Sequence, residues 1–94
     1  MNVSKVSGKN NKHKVFLYAL STCVWCKLTK QFLNENNLQY EYVDVDLEDE
    51  KDKQKIHETI QNAGGMISYP TTIVDDKVVI TGFRKDKLKE ALEI

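Results

Sequence analysis

Two cysteines, Cys23 and Cys26, stand at the point where an apolar run gives way to a helical pattern. The run, residues 15–20, is continuous rather than alternating, as is typical of a strand that is buried on both faces of a sheet. Over residues 24–36 apolar side chains return at helical spacing. A strand, a short turn and the start of a helix therefore hold both thiols. Thiols at this spacing can close a disulfide across a helix start, which indicates redox chemistry.

Composition limits the setting in which this pair acts. The chain has 94 residues, enough for one domain, and its 14 Lys and Arg balance its 14 Asp and Glu. This balance argues against nucleic acid or an anionic membrane as the main partner. The longest apolar stretch, residues 15–20, is too short for a membrane span or a signal-peptide core, so we expect a cytoplasmic protein. In that reducing compartment two close cysteines are more often catalytic or metal-binding than structural.

The rest of the chain continues the alternation of strand and helix. The predicted elements after the first helix are, in order, a strand at 40–45, a helix that carries Ile56 and Ile60, strands at 71–74 and 78–81, and a helix at 85–92. The turn residues Asp75 and Asp76 make a hairpin of the last two strands. The order βαβαββα predicts an α/β fold, a four-stranded mixed sheet flanked by three helices.

The first 14 residues differ from the rest. Residues 1–14 are polar and basic and show no apolar periodicity, so we predict a mobile leader before a domain at 15–94. A basic arm of this kind could dock an acidic partner, but a solvated tail is the favoured interpretation. The only histidines, His13 and His57, are expected to be exposed, and neither is placed as a catalytic base.

Three short motifs carry a family resemblance that runs over residues 14–94. They are residues 18–27 (YALSTCVWCK), residues 69–72 (YPTT) and residues 81–84 (TGFR). Together with the element order, they resemble the glutaredoxin branch of the thioredoxin fold. The resemblance implies a cis peptide bond between Tyr69 and Pro70, with the proline lying against the active-site sulfurs.

The same resemblance implies a dithiol–disulfide oxidoreductase. A helix that begins near Cys23 directs unpaired backbone N–H groups and its positive dipole end at that sulfur, which favours the attacking thiolate. Cys26 lies one turn deeper, so it stays protonated until it resolves the mixed disulfide. An exposed Trp25 between them suggests a docking surface for a substrate protein. The expected substrate-binding residues are Trp25, Tyr69, Pro70, Thr71, Gly82 and Phe83.

The electron donor is less well defined by the resemblance. Relatives that bind glutathione commonly carry a lysine where this chain has Leu20, and an acidic residue near the place of Arg84. Their replacement points away from glutathione. Residues 81–84 look like the Ser-Gly-Phe-Arg element of NrdH-redoxins, which implies recharging by a thioredoxin reductase. The leader together with residues 18–26 is similar to glutaredoxin-like proteins of anaerobes, which implies a ferredoxin-linked thioredoxin reductase as another donor. A protein such as ribonucleotide reductase is then an expected target.

Two alternatives remain open from the sequence. One is a glutathione-dependent glutaredoxin. The other is a metal-binding module, in which Cys23 and Cys26 of two chains hold an iron–sulfur cluster with glutathione, or a zinc ion. One chain supplies only half of such a site, so we expect a monomer with no bound metal and no tightly bound cofactor.

Overall fold

The computed structural model describes residues 1–94 and contains five strands and three α-helices. In chain order these are β1 (Ser4–Val6), β2 (Val15–Ala19), α1 (Val24–Glu35), β3 (Tyr40–Asp44), α2 (Glu50–Asn62), β4 (Thr71–Val74), β5 (Val78–Thr81) and α3 (Lys85–Leu92). A 3₁₀ turn, Val45–Leu47, joins β3 to the segment before α2. No helix is long and apolar enough to cross a membrane.

The strands form one mixed sheet in the order β1-β3-β2-β4-β5. The central strand β2 pairs in parallel with β3, with Leu17 opposite Tyr42, and antiparallel with β4, with Leu17 opposite Thr72. The β4–β5 hairpin and the antiparallel β1–β3 pair complete the two sides. The predicted α/β fold of the thioredoxin type is confirmed, and β2 is the central strand.

Two buried clusters lie on opposite faces of the sheet. Successive side chains of a strand point to opposite faces, so Leu17 and Tyr18 enter different clusters. The helices α1 and α3 cover one face and α2 covers the other. The larger cluster consists of Val15, Leu17, Ala19, Cys26, Phe32, Leu33, Leu38, Tyr40, Val74, Ile80, Leu88 and Leu92. The smaller consists of Tyr18, Val43, Val45, Ile56, Ile60 and Ile73.

The sheet has one more strand than the sequence predicted. The expected four strands are β2 to β5, and the fifth, β1, lies within the predicted leader, residues 1–14. Its Lys5 is opposite Glu41 of β3, an edge that would otherwise be open. The prediction of a mobile leader is therefore wrong for this segment, because backbone pairing to β3 fixes residues whose own side chains are polar.

A close backbone approach anchors the leader after β1. A Cβ atom at Gly8 would lie 2.5 Å from the carbonyl oxygen of Asn37, so only glycine fits there. Two hydrogen bonds follow, from Asn10 N to Asn37 O and from Gln39 N to Asn10 O, both 2.9 Å. The leader thus docks on the connection between α1 and β3.

Charged side chains attach the end of the leader to two other parts of the chain. His13 Nδ1 forms a 2.6 Å hydrogen bond with Asp75 Oδ2, and His13 Nε2 makes an ionic contact of 2.9 Å with Glu93 Oε1. Only 12% of the His13 side chain is exposed, which corrects the expectation of an exposed histidine. We call these three residues the His13 clasp, since they tie the leader to the hairpin turn and the chain end.

Candidate active site

Cys23 is the N-cap residue of α1. Its backbone is extended (φ −90°, ψ 119°), and its sulfur accepts a 3.2 Å hydrogen bond from the backbone N–H of Cys26. The first N–H groups of a helix have no partner within the helix, and one of them is used here to contact a sulfur. The thiol is partly exposed. It is therefore the sulfur that another molecule can reach.

Cys26 lies one turn further along α1, on the buried face. It is 1% exposed and belongs to the larger core cluster. Burial, followed by a hydrogen bond with the Cys23 side chain, raises the pKa of the Cys26 thiol to about 12. At neutral pH this sulfur keeps its proton. The two thiols thus differ in access, and burial keeps Cys26 in its thiol form.

The turn before Cys23 is held from another part of the chain. Asp46, after β3, accepts a 2.8 Å hydrogen bond from Ser21 N and a second bond from the Ser21 hydroxyl. These bonds lower the pKa of the Asp46 carboxyl. The sequence did not predict this positioning role, because the partners are 25 residues apart and meet only through the parallel pairing of β2 with β3.

Pro70 lies at the start of β4 and follows a cis peptide bond from Tyr69, as predicted. Pro70 is fully buried, and its carbonyl accepts a 2.7 Å hydrogen bond from Gly82 N. Gly82 has a φ of +84°, which a residue with a side chain rarely adopts, so the chain can turn here directly after β5. This bond fixes the turn after β5 against the proline loop.

Five of the predicted substrate-binding residues line one shallow groove of about 260 Å³. Trp25 and Phe83 form its aromatic wall, with ring centroids 6.4 Å apart. Phe83 in turn packs edge-on against Phe32, at 6.3 Å, which ties this wall to the core. Trp25 is 61% exposed. We call this feature the active-site groove; it is lined by Trp25, Tyr69, Pro70, Gly82 and Phe83.

Thr71, the sixth predicted substrate-binding residue, does not line this groove. Its side chain is 0% exposed, and its hydroxyl donates a hydrogen bond to the carbonyl of Ser68. The buried Thr71 side chain offers no surface to this groove, and the assignment of Thr71 as a substrate-binding residue stays a prediction. Thr71 instead braces the loop that carries Tyr69 and Pro70, because the bond to Ser68 closes that loop onto β4.

Leu20 precedes the turn that leads to Cys23, and Arg84 follows Phe83 of the active-site groove. Leu20 accepts a 3.2 Å hydrogen bond through its carbonyl from Cys23 N, and its side chain offers no charge. Arg84 is exposed and lies 3.8 Å from Asp86. For metals, no group of three or more His, Cys, Asp or Glu side chains is placed to hold an ion.

A thioredoxin-type sheet, a Cys-x-x-Cys pair at the start of α1 and a cis-proline loop that lines the same groove as Trp25 define the class: a dithiol protein of the thioredoxin fold. The family model described as Glutaredoxin matches residues 15–79. The chain belongs to the glutaredoxin family.

Solved structures from archaea are similar over almost the whole chain. A glutaredoxin from Methanosarcina mazei Go1 has a TM-score of 0.89 and 37% identity, covering 98% of this chain and 88% of the other. The methanoredoxin of Methanosarcina acetivorans has a TM-score of 0.88 and 39% identity, with 97% and 96% covered. These likenesses extend to the leader, which lies outside the region matched by the family model.

A curated relative is similar at lower identity. An uncharacterized glutaredoxin-like 8.6 kDa protein in the rubredoxin operon of Clostridium pasteurianum is 27% identical over 77 residues, 82% of this chain and 95% of that protein. The NrdH-redoxin of Escherichia coli has a TM-score of 0.62 and 23% identity, covering 82% of this chain and 92% of the other. That likeness shows the fold alone, so the NrdH-type assignment within the family stays a prediction.

Proposed function

We propose that this protein is a dithiol–disulfide oxidoreductase that reduces disulfides of other proteins. The Cys23 thiolate attacks one sulfur of the substrate disulfide, and the second substrate sulfur leaves and takes up a proton. Cys26 then loses its proton and attacks the Cys23 sulfur of the mixed disulfide, so the first substrate sulfur, which was bonded to Cys23, leaves and takes up a proton. The substrate gains two electrons and two protons, and the Cys23–Cys26 pair is left as a disulfide.

The observation that carries this proposal is the asymmetry of the two thiols. Cys23 is accessible and accepts an N–H at a helix start, whereas Cys26 is buried, with a raised pKa. A structural disulfide does not need this difference, and a metal site needs two thiolates that are both free to ligate. A nucleophile followed by a resolving thiol needs the arrangement that is found.

We propose protein substrates because the active-site groove exposes aromatic side chains. Trp25 is too exposed to contribute fully to the core, and with Phe83 it offers aromatic surface beside Cys23. Aromatic side chains of this kind often dominate the binding energy of protein interfaces. Ribonucleotide reductase is one target that fits this chemistry.

The proposed electron source is a protein reductase rather than glutathione. The glycine carboxylate of glutathione would need a cation near Leu20, and its amino group would need an acid near Arg84; the chain has a neutral side chain at the first place and a cation at the second. A thioredoxin reductase or a ferredoxin-linked reductase would return two electrons to the Cys23–Cys26 disulfide. We place the protein in the cytoplasm, acting as a monomer without a tightly bound cofactor.

The test is a donor comparison with insulin as the disulfide substrate. Glutathione, an NADPH-linked thioredoxin reductase and a ferredoxin-linked reductase are offered in turn at matched electron supply. We expect turnover with at least one protein reductase and little with glutathione. Strong turnover with glutathione alone would contradict the proposed donor while leaving the oxidoreductase assignment intact.

The same preparation tests the metal-binding alternative. Protein purified without oxygen should be colourless and carry no stoichiometric zinc. Visible absorbance that tracks the protein, or one zinc per two chains, together with no insulin reduction, would replace the redox proposal with a metal-binding one.

A further inference from the structure

The largest cavity of the molecule lies outside the active-site groove. It is an open groove of about 620 Å³ between β5 and α3. One wall is the edge strand, with Val79 and Thr81, and the other is the exposed side of α3, with Lys87 and Glu90. We call it the edge groove. Nothing in the proposed thiol chemistry uses it.

Unpaired backbone groups line this groove. The bond from Gly82 N to Pro70 O and the register of β4 and β5 place the hydrogen-bonded pairs at Val78 and Ile80. Because such pairs alternate along an antiparallel ladder, the N–H and C=O groups of Val79 and Thr81 point to the open edge. No proline or bulge protects β5. An edge of this kind is a template for one more strand.

Consecutive residues of the chain line the edge groove and the active-site groove. Thr81 and Arg84 line the edge groove, and the residues between them, Gly82 and Phe83, line the active-site groove. A polypeptide with its disulfide over Cys23 therefore needs only to pass Gly82 and Phe83 to reach the free edge of β5.

The edge groove is lined by more basic than acidic side chains, which favours an acidic occupant. Arg84 and Lys87 line it together with a single acid, Glu90. Lys87 is exposed and has no ion-pair partner, whereas Arg84 has one long contact, 3.8 Å, to Asp86. A second copy pairing through β5 would bring these cations against each other. An acidic strand would instead bring opposite charges together.

We propose that the edge groove binds an extended, acidic segment of the disulfide-containing substrate protein, which adds to β5 as a sixth strand. The proposal rests on the proposed function, since it names a feature of the substrates of that same site. Main-chain bonds to Val79 and Thr81 would hold the segment, and Lys87 and Arg84 would select its charge.

Two matched peptides test this proposal. Each carries one cysteine as a mixed disulfide with 5-thio-2-nitrobenzoate and a β-forming flank, with aspartate at alternate positions in one and lysine in the other. The reduced protein becomes the Cys23–Cys26 disulfide and releases the peptide thiol and the coloured aryl thiol. We expect kcat/KM for the acidic peptide to be about tenfold higher. N-methylation of alternate flank amides should remove this advantage.

Variants locate the effect in the edge groove. Lys87→Glu should abolish the preference for the acidic peptide, while Lys89→Glu, the same charge change on α3 outside the groove, should retain it. Val79→Pro removes an N–H that points away from β4, so the hairpin ladder stays intact. It should lower the rate with the acidic peptide about tenfold. Both groove variants should reduce bis(2-hydroxyethyl) disulfide, which has no flank, at the wild-type rate.

Three results would overturn the proposal. Equal kcat/KM for the two peptides in the wild type would remove it, as would an acidic preference that survives Lys87→Glu. A dimer in sedimentation equilibrium that Val79→Pro dissociates would assign the edge to a second copy. Failure to reduce even the small disulfide would count against the proposed function itself, so the two failures are distinguishable.

Discussion

The side chains near the two ends of β2 differ in their contacts, since one end keeps apolar side chains exposed and the other forms ion pairs. Past Ala19, at the site end, Val24 and Trp25 remain largely exposed beside Cys23, and Met66 is exposed in the loop that leads to Pro70. Before Val15, at the clasp end, charged groups pair with one another. Apolar surface is exposed to solvent at the site end, whereas charged side chains are paired at the clasp end.

This difference separates a surface that a partner can bind from contacts that stabilise the fold itself. Exposed apolar side chains contribute little to folding where they stand, but they can be buried by a partner. The ion pairs of the His13 clasp connect three segments that are distant in sequence, yet they offer no accessible apolar surface. The site end is thus arranged to gain contacts on binding, while the clasp end makes its contacts within the chain.

Removing the thiols one at a time should have the largest effect at the site end. Cys23→Ser should abolish disulfide reduction, because no accessible nucleophile remains. Cys26→Ser should instead stop after the first step and hold the substrate as a mixed disulfide with Cys23, visible on non-reducing electrophoresis. Trapping by Cys23→Ser would reverse the two roles.

The docked leader can be broken without touching the site end. Gly8→Val would place side-chain atoms against the backbone of Asn37 and Leu38, which cannot move aside cheaply. We expect the free energy of unfolding to fall by about 2 kcal/mol in urea denaturation, the usual size of overpacking effects. Insulin reduction by the folded protein should be unchanged.

The neighbouring substitution Ser7→Ala provides the control for Gly8→Val, and it should leave stability within about 0.5 kcal/mol. Wild-type stability in Gly8→Val would contradict the close approach of the leader to the segment after α1.

Trp25 tests whether exposed apolar surface at the site end serves binding. Trp25→Ala should lower kcat/KM with a protein disulfide about tenfold, since an exposed aromatic anchor is lost. Reduction of bis(2-hydroxyethyl) disulfide should change less than about twofold, because so small a substrate does not need the anchor. Leu47→Ala removes a side chain of similar exposure in the Val45–Leu47 turn and should affect neither rate. Equal losses with both substrates would show that Trp25 supports the thiols instead.

The clasp end is expected to give the smallest effect, and one that depends on pH. Asp75, through its hydrogen bond, raises the pKa of His13, and in return the pKa of Asp75 is lowered. The pKa of Glu93 is lowered first by the hydrogen bond and charge of Lys12 and to a smaller extent by His13. The contribution of His13 is therefore complete below its ordinary pKa of about 6.5 and is lost as pH rises through the raised value. The contribution of the two acids is present above about pH 4.5 and is lost in acid.

It follows that His13→Gln should lower the thermal midpoint most near pH 5.5 and least near pH 8.5. His57→Gln, on α2 and outside the clasp, should lack this pH dependence. A deficit in His13→Gln that grows with rising pH would contradict the charged pairing.

Local patterns were sufficient for most of the fold. The apolar run of β2 and the single faces of α1 and α2 identified elements whose burial depends on their own side chains, and the bounds of β4, β5 and α3 agree with the prediction. β1 could not be found in this way. Ser4–Val6 carries little apolar character, and the strand exists because β3 offers a free edge and Gly8 permits a close approach.

The residues of the candidate site show the same distinction between local patterns and contacts with distant parts of the chain. Cys23 and Cys26 were identified by spacing, and the groove residues by family motifs. The burial of the Thr71 side chain was not predicted, because a motif gives proximity to a site without giving the direction of a side chain. The bond of Ser21 to Asp46 and the contacts of His13 were missed, because their partners come together only when the sheet forms.

The asymmetry of the thiols is tested most directly by mapping alkylation of the reduced, folded protein with iodoacetamide at pH 7. Cys23 should be modified, and Cys26 should stay unmodified until the protein is unfolded. Cys26 is 1% exposed, and burial raises the pKa of its thiol to about 12, so this sulfur keeps its proton at pH 7. Peptide mass analysis that finds Cys26 modified as fast as Cys23 would contradict the assignment of nucleophile and resolving thiol.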